Sequence, residues 1–204
     1  IVILSGPSHA EEVSKKYPTT IVAACADIDH ARYVQKLFSN DYFRVYSGND
    51  VIGVEIGGSA KNIIAIAAGI CYGLGYGDNT MAALVTRGLE EIIRLGTTLG
   101  AERATFSGLS GMGDLIVTAF SPHSRNRQVG ERIGKGEKLS DILSSMAMVA
   151  EGVETTRSMH FLSRKHNIEM PICEQIYKVL FEDISPRKGI LELMGRELVD
   201  EHSV

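Results

Sequence analysis

Along the first fifty residues, short apolar runs of strand type alternate with stretches of helical periodicity. Ile1-Val2-Ile3-Leu4 reads as a strand ended by Ser5-Gly6-Pro7-Ser8, with a helix over residues 9–16. A second strand over 19–25 precedes an amphipathic helix over 28–38, for which Asp27 is the expected N-cap. Phe43-Arg44-Val45-Tyr46 is a short third strand. After Gly48-Asn49-Asp50 the pattern turns helical almost to the end. The stretch from Val51 to Tyr76 is long and apolar, with Gly53 and Gly57, then Gly69, Gly73 and Gly77, at a four-residue spacing that suits close helix packing. Glu55 and Lys61 lie inside it, and each would cost roughly 2.5 kcal/mol or more at mid-membrane, so it reads as a buried helix of a soluble helical core. Asp78 or Asn79 can cap a second long helix through Leu99, closed by Gly100. Further helices are expected over 114–120, 125–133, 141–148, 154–165, 172–181 and 186–193. The expected fold is mainly α: an all-helical substrate domain over 50–204, preceded over 1–49 by the α/β remnant of a truncated doubly wound domain.

Composition narrows this only slightly. A chain of 204 residues can bury one sizeable core or two small ones, and a net charge of −4 argues against a general nucleic-acid or membrane-surface binder. Three widely separated cysteines (Cys25, Cys71, Cys173) suggest a reduced, cytoplasmic protein and give no metal-ligand spacing, so no metal is expected. No signal peptide is evident, and the start at Ile1, directly in an apolar run, looks like a cut through a larger protein.

The candidate chemistry begins at Lys61. It sits among small and apolar residues, and its helical neighbours Gly57, Gly58, Ile64 and Ala65 include no acid. The two glycines leave a gap for a ligand or another backbone, and burial would lower the ammonium pKa toward that of a proton acceptor. The plainer alternative is a lysine snorkelling to water. Gly111-Met112-Gly113-Asp114-Leu115 feeds an acid into a helix start; a simple N-cap is the default reading, and Thr118 follows one turn later on the same face. Ser121-Pro122-His123-Ser124-Arg125-Asn126-Arg127 offers hydroxyl, guanidinium and amide at a helix N-terminus, a combination suited to an oxyanion or phosphate. A solvated basic helix start is the alternative there, and His123 reads as an exposed loop residue. Arg87 is expected in a structural pair with Glu90 or Glu91, and Glu55 with Arg87 or with Lys61.

Taken in order, these motifs resemble one family. The runs Ser5-Gly6-Pro7-Ser8, Gly53 to Asn62, Gly75-Tyr76-Gly77-Asp78-Asn79, Thr86-Arg87-Gly88-Leu89, Gly108 to Leu115, Ser124 to Arg127 and Glu151-Gly152 are similar to the C-terminal part of bacterial NAD(P)-dependent sn-glycerol-3-phosphate dehydrogenases. The resemblance implies that Lys61 takes the proton of the C2 hydroxyl as hydride leaves for the nicotinamide. It implies substrate contacts at Gly6, Ser8, Lys61, Asn62, Asp114, Thr118, Ser124, Arg125 and Asn126, with Asn62 and Asp114 orienting Lys61 and the substrate hydroxyls, Thr118 in support, and Arg125 and Asn126 binding the phosphate beside Ser124. It implies cofactor contacts at Ala10, Arg125, Val149 and Glu151, with NAD or NADP as cofactor and glycerol 3-phosphate or dihydroxyacetone phosphate as substrate. A homodimer without membrane insertion or nucleic-acid partner, supplying a phospholipid precursor, completes the expectation. Two features depart from the pattern. His9 stands where the family usually has an aromatic residue, and no Gly-x-Gly-x-x-Gly turn occurs near the start. The pyrophosphate site is therefore not expected on this chain. Two alternatives stay open: a related β-hydroxyacid dehydrogenase, whose lysine and asparagine lie a turn apart rather than adjacent, and a non-catalytic helical assembly module.

Overall fold

The computed structural model describes residues 1–146 and 148–201. Its first part is a three-stranded sheet: β1 (Ile3–Ser5), β2 (Thr19–Ala24) and β3 (Phe43–Gly48) in that spatial order, with α1 (Ala10–Val13) and α2 (Ile28–Phe38) between them. β2 and β3 are parallel, Thr19 facing Phe43 and Ala24 facing Gly48, and the eleven-residue α2 makes the crossover that a parallel pair needs. Asp27 caps α2 as expected, accepting from the Asp29 N–H at 3.0 Å. β1 differs from a doubly wound arrangement, because it runs antiparallel to β2, with Ile3 opposite Ala24. Its connection holds only the single turn of α1, shorter than the expected 9–16, and the chain leaves that turn through Lys16 at φ 60°. The sheet has a small core of its own, Ile21, Ala23 and Val45, with Val2, Val34 and Phe43 packed against it.

From Asp50 the chain is helical. Asp50 caps α3 (Val51–Gly73) through the Gly53 N–H at 2.9 Å. Its other carboxylate oxygen accepts from the Glu102 N–H at 2.9 Å and the Thr105 hydroxyl at 2.6 Å. One side chain thus both starts the helix and ties down the segment after α4 (Asp78–Thr98), which contains the short α5 (Arg103–Phe106). The N-cap of α4 is Gly77, with no side-chain cap bond; Asp78 is the first helical residue, where its charge meets the positive end of the helix. Gly100 closes α4 at φ 97°. A π-helical turn, Leu109–Gly113, leads into α6 (Asp114–Phe120), followed by α7 (Arg125–Gly134), α8 (Leu139–Ser145), α9 (Gly152–Lys165), α10 (Pro171–Phe181) and α11 (Pro186–Met194). The expected helix over 141–148 is therefore shifted to Leu139–Ser145, and its position 147 lies outside the described residues.

α3 is long and apolar enough to cross a membrane, yet most of it is buried by other helices. It forms the axis of the helical part and packs against α4, α6, α7, α9 and α10. Its closest neighbour is α7, where backbones meet directly: a Cβ on Gly69 would stand 2.0 Å from the Arg127 carbonyl oxygen, and one on Gly130 2.0 Å from that of Ile66. The four-residue glycine spacing is a close-contact pattern at Gly57, Gly69 and Gly73, whereas Gly53 makes room first for its own cap Asp50 and the absent Cβ of Gly77 would meet nothing within 4 Å. Ile63, Ile66, Ile92, Leu95, Phe106, Leu115, Val129 and Ile142 fill the core with almost no exposure.

The expected ion pairs of Arg87 and Glu55 are not formed. Arg87 donates to the carbonyl of Glu201 at 3.2 Å, and Glu90 instead pairs with Arg103 at 3.0 Å. Buried Glu91 accepts from the backbone N–H groups of Ile172 (2.6 Å) and Cys173 (3.1 Å), capping α10 from a neighbouring helix. Pro171, at the start of α10, has no N–H to offer, so the next two donors take the carboxylate. Glu55 is exposed and pairs with neither Lys61 nor Arg87. Cys25, Cys71 and Cys173 are buried free thiols, and burial pushes the Cys71 thiol up to about 11.

Candidate active site

Lys61 leaves the middle of α3, and the partner its own helix lacks arrives from α6. Its Nζ lies 2.5 Å from Asp114 Oδ2, with the lysine side chain 18% and the aspartate side chain 5% exposed. The pairing follows from two backbone features. Gly57 has no side chain, and a Cβ there would meet the Ser110 carbonyl at 2.6 Å, so the π-helical turn seats directly on α3. That turn then delivers Asp114 as the first residue of α6. The gap beside Lys61 at Gly57 is therefore filled by another backbone. Asp114 is not an N-cap: the capping position is Gly113, and the aspartate side chain turns to the lysine instead. The Thr118 hydroxyl donates to the Asp114 carbonyl at 2.6 Å and stands 3.4 Å from Oδ1. Ser5 Oγ, at the end of β1, reaches Oδ2 at 3.4 Å.

This pair lies in a cleft of about 580 Å³ whose lining includes Gly6, Ser8, His9, Ala10, Lys61, Asn62, Asp114, Thr118, Ser124, Arg125, Asn126 and Glu151. Of the residues to which the resemblance assigns a substrate or cofactor contact, only Val149 is outside that lining; its carbonyl accepts from Arg125 Nη1 at 3.1 Å. A smaller cavity of about 520 Å³, between β1 and the start of α3, also reaches Lys61 and Asp114, with Ser5, Glu55 and Ser59 in its wall.

The N-terminus of α7 lines the same cleft as Lys61. Buried Ser124 is its N-cap and accepts from the Arg127 N–H at 3.2 Å. Arg125 is exposed at the first helical position, and Asn126 is buried behind it. Asn126 Nδ2 donates to Asn62 Oδ1 at 2.9 Å, and its Oδ1 accepts from the Gly152 N–H at 2.9 Å. Arg127 turns away and stacks on Tyr72, its guanidinium 4.5 Å from the ring centroid. The cleft thus brings together a helix N-terminus with the Arg125 guanidinium and an ammonium held by a carboxylate. Such a lining accepts an anion with hydroxyl or carbonyl oxygens some distance from its charge.

At the mouth, the Ser5–Ser8 turn passes through Gly6 at φ 142°, and Ser8 Oγ donates to the Gly6 carbonyl at 3.0 Å. The His9 ring stands edge-on to His123, centroids 6.0 Å apart, and its Nε2 is buried with no hydrogen-bond partner among the described residues. A backbone N–H, and then the field of His123, His9 and Arg125, holds the Glu11 carboxyl below the usual carboxylate range. Sequence reasoning missed Ser5 and the backbone N–H of Gly152. Ser5 stands in a quoted motif and could have been marked from its place at a strand end, but a backbone donor leaves no trace in residue types. No group of three or more His, Cys, Asp or Glu able to hold a metal occurs among the described residues.

The sequence pattern described as the NAD-dependent glycerol-3-phosphate dehydrogenase C-terminus matches residues 50–191, and the N-terminal pattern of the same enzymes matches residues 1–31. A glycerol-3-phosphate dehydrogenase (NAD(P)+) of Salinibacter ruber is 58% identical over 98% of this chain and 58% of its own length. One of Shouchella clausii is 56% identical over the whole chain and 59% of its own length. The chain therefore spans less than two thirds of these relatives. Among solved structures, the glycerol-3-phosphate dehydrogenase of Coxiella burnetii superposes with a TM-score of 0.93 at 40% identity, over 96% of this chain and 60% of that one. That of Saccharomyces cerevisiae superposes with a TM-score of 0.84 at 26% identity, over 95% and 59%. With matched patterns at both ends and the pairing of Lys61 and Asp114 inside the matched region, this chain belongs to the NAD-dependent glycerol-3-phosphate dehydrogenase family.

Proposed function

We propose that this chain carries the substrate-binding and proton-handling part of an NAD(P)-dependent enzyme interconverting sn-glycerol 3-phosphate and dihydroxyacetone phosphate. The observation that carries the reading is one cleft holding both the Lys61–Asp114 pair and the Ser124–Arg125 helix start. The phosphate is assigned to Ser124, Arg125 and the first N–H groups of α7, where charge-assisted bonds and the helix dipole act together. Lys61 faces the C2 oxygen. As an ammonium it donates a proton to the ketone oxygen, where negative charge develops, and in the oxidising direction the neutral amine accepts the hydroxyl proton. Asp114 keeps Nζ in place, and Thr118 and Ser5 fix Asp114. Asn62, Asn126, Gly6 and Ser8 enclose the rest of the substrate.

Ala10, Arg125, Val149 and Glu151, at the cleft mouth, are the residues that would touch the dinucleotide. When bound, its nicotinamide supplies or accepts the hydride. The fit is partial, because the only glycine turn after β1 is Ser5-Gly6-Pro7-Ser8, which leads into a single helical turn and lacks Gly-x-Gly-x-x-Gly. By itself the chain is expected neither to bind NAD(P) tightly nor to turn over. We assign residues 1–49 to the end of a nucleotide-binding domain and 50–204 to the substrate domain. A cytoplasmic homodimer that supplies phospholipid precursor, without membrane insertion or nucleic-acid contact, is the setting we propose. Three buried free thiols, the burial of α3 and the net charge support the cytoplasmic setting and the absence of membrane and nucleic-acid contact; nothing in the fold bears on the dimer or the lipid role.

Titrating the isotope-labelled chain with sn-glycerol 3-phosphate and with 3-hydroxyisobutyrate tests the reading. Amide shifts at Ser124–Asn126 with the phosphate compound alone are expected. An equal response to both compounds, or none to either, would overturn it.

A further inference from the structure

Asn62 and Asn126 are both buried, both line the cleft, and touch each other through their side chains. The two ends of a carboxamide are nearly alike in shape, so their neighbours decide which end faces where. Here one neighbour has no choice. The Gly152 N–H, at the start of α9, can only donate, and it lies 2.9 Å from Asn126 Oδ1. Asn126 must therefore turn its oxygen toward α9 and its NH₂ toward Asn62. Asn62 must in turn present its oxygen to Asn126, 2.9 Å away. The NH₂ of Asn62 is left over, with no hydrogen-bond partner among the described residues, next to Lys61 and on the cleft. Reversing either amide would set donor against donor or oxygen against oxygen and lose a buried hydrogen bond.

We infer that Gly152 and Asn126 are positioning residues whose hydrogen-bond chain fixes Asn62 as a donor to a ligand oxygen. With Lys61 as the ammonium, adjacent Lys61 and Asn62 then offer only donors to the cleft, which selects an oxygen bearing negative charge or gaining it, such as a phosphoryl oxygen or a polarised carbonyl. Asn126 keeps a second N–H beyond the one given to Asn62, so it can meet the ligand directly as well as orient Asn62. The chain also explains Gly152: a Cβ there would stand 2.7 Å from Asn126 Oδ1 and 2.9 Å from the Asn62 carbonyl oxygen. The ligand's identity rests on the glycerol-phosphate reading, whereas the orientation of the amides does not.

Through-hydrogen-bond couplings in the ligand-free, labelled 204-residue chain test the orientation directly. Coupling from the Gly152 nitrogen to the Asn126 side-chain carbonyl carbon, and from Asn126 Nδ2 to that of Asn62, is expected. A coupling from Asn62 Nδ2 to Asn126, or neither coupling in the folded chain, overturns the inference. Dihydroxyacetone phosphate is then added: the Asn62 NH₂ resonances should shift, and Asn126→Leu, a neutral change, should abolish that shift and weaken binding about tenfold or more. Unchanged affinity with the Asn62 response intact would overturn the positioning role. Couplings as expected but no response to dihydroxyacetone phosphate or glycerol 3-phosphate would uphold the orientation and overturn the glycerol-phosphate reading.

Discussion

Glu91 makes folding stability depend on pH in an unusual direction. Three influences compete at its carboxyl. Burial raises its pKa; the N–H groups of Ile172 and Cys173, and more weakly Arg94 and Arg196, lower it; burial wins and pushes it from near 4.5 to about 7. A carboxyl raised on folding prefers to be protonated in the native state. Its favourable contribution is therefore complete below about 4.5 and is lost as pH rises through about 7. The gap between the two values corresponds to about 3 kcal/mol, of which about 2 kcal/mol disappears between pH 5 and pH 7. Glu91→Gln isolates this contribution. The amide keeps one oxygen for an α10 N–H but sets its NH₂ against the other, so the variant should be less stable at pH 5 by about 1–3 kcal/mol. It does not titrate, so the difference between the two proteins in urea unfolding should shrink by about 2 kcal/mol from pH 5 to pH 7. Taking the difference removes the other groups that titrate in this range. A difference that stays flat, or widens as pH rises, would falsify the account and mean that the two N–H groups outweigh burial.

Other outcomes follow from single contacts. Joined to a complete nucleotide-binding domain, Lys61→Ala should lower turnover of glycerol 3-phosphate by roughly 10²-fold or more in steady-state assays, and unchanged turnover would remove the lysine from the mechanism. Gly130→Ala places a Cβ 2.0 Å from the Ile66 carbonyl, so α3 and α7 must separate; a loss of about 1–3 kcal/mol or more is expected in chemical denaturation. Asp50→Ala removes the α3 cap and two further hydrogen bonds, and should cost about 2 kcal/mol, with faster amide exchange at Gly53 and Glu102.

Local order was largely legible along the chain because its causes are local. The bounds of α2 and α6 match those expected from periodicity, and Asp27 and Gly100 act where cap and stop residues were expected. The misreadings share a different cause. Arg87 was expected to pair with Glu90 or Glu91, Glu55 with Arg87 or Lys61, and Asp114, from its own run alone, to cap its helix. Arg87, Glu91 and Asp114 found partners far along the chain, and for Asp114 that partner is the lysine beside which the resemblance had set it. For Asp114 the reason is visible: the π-helical turn occupies the approach to α6 and frees the carboxylate for α3. The direction of β1 was not legible in the chain: the short excursion through α1 returns it antiparallel to β2.

The sequence by itself determined the order of helices and strands, the glycine-spaced α3 and a set of motifs that mark Lys61, Asp114 and Ser124–Asn126 as one family's site residues. Those features rest on backbone preference and side-chain period, which act within a few residues. Only the tertiary structure decided that Lys61 is an ion-paired lysine, that Gly57 receives a backbone, and that Asn62 turns its NH₂ to the cleft. Each depends on groups fifty or more residues apart, two of them main-chain atoms common to every residue type. Packing brings those atoms together, and residue identity alone carries no record of which ones will meet.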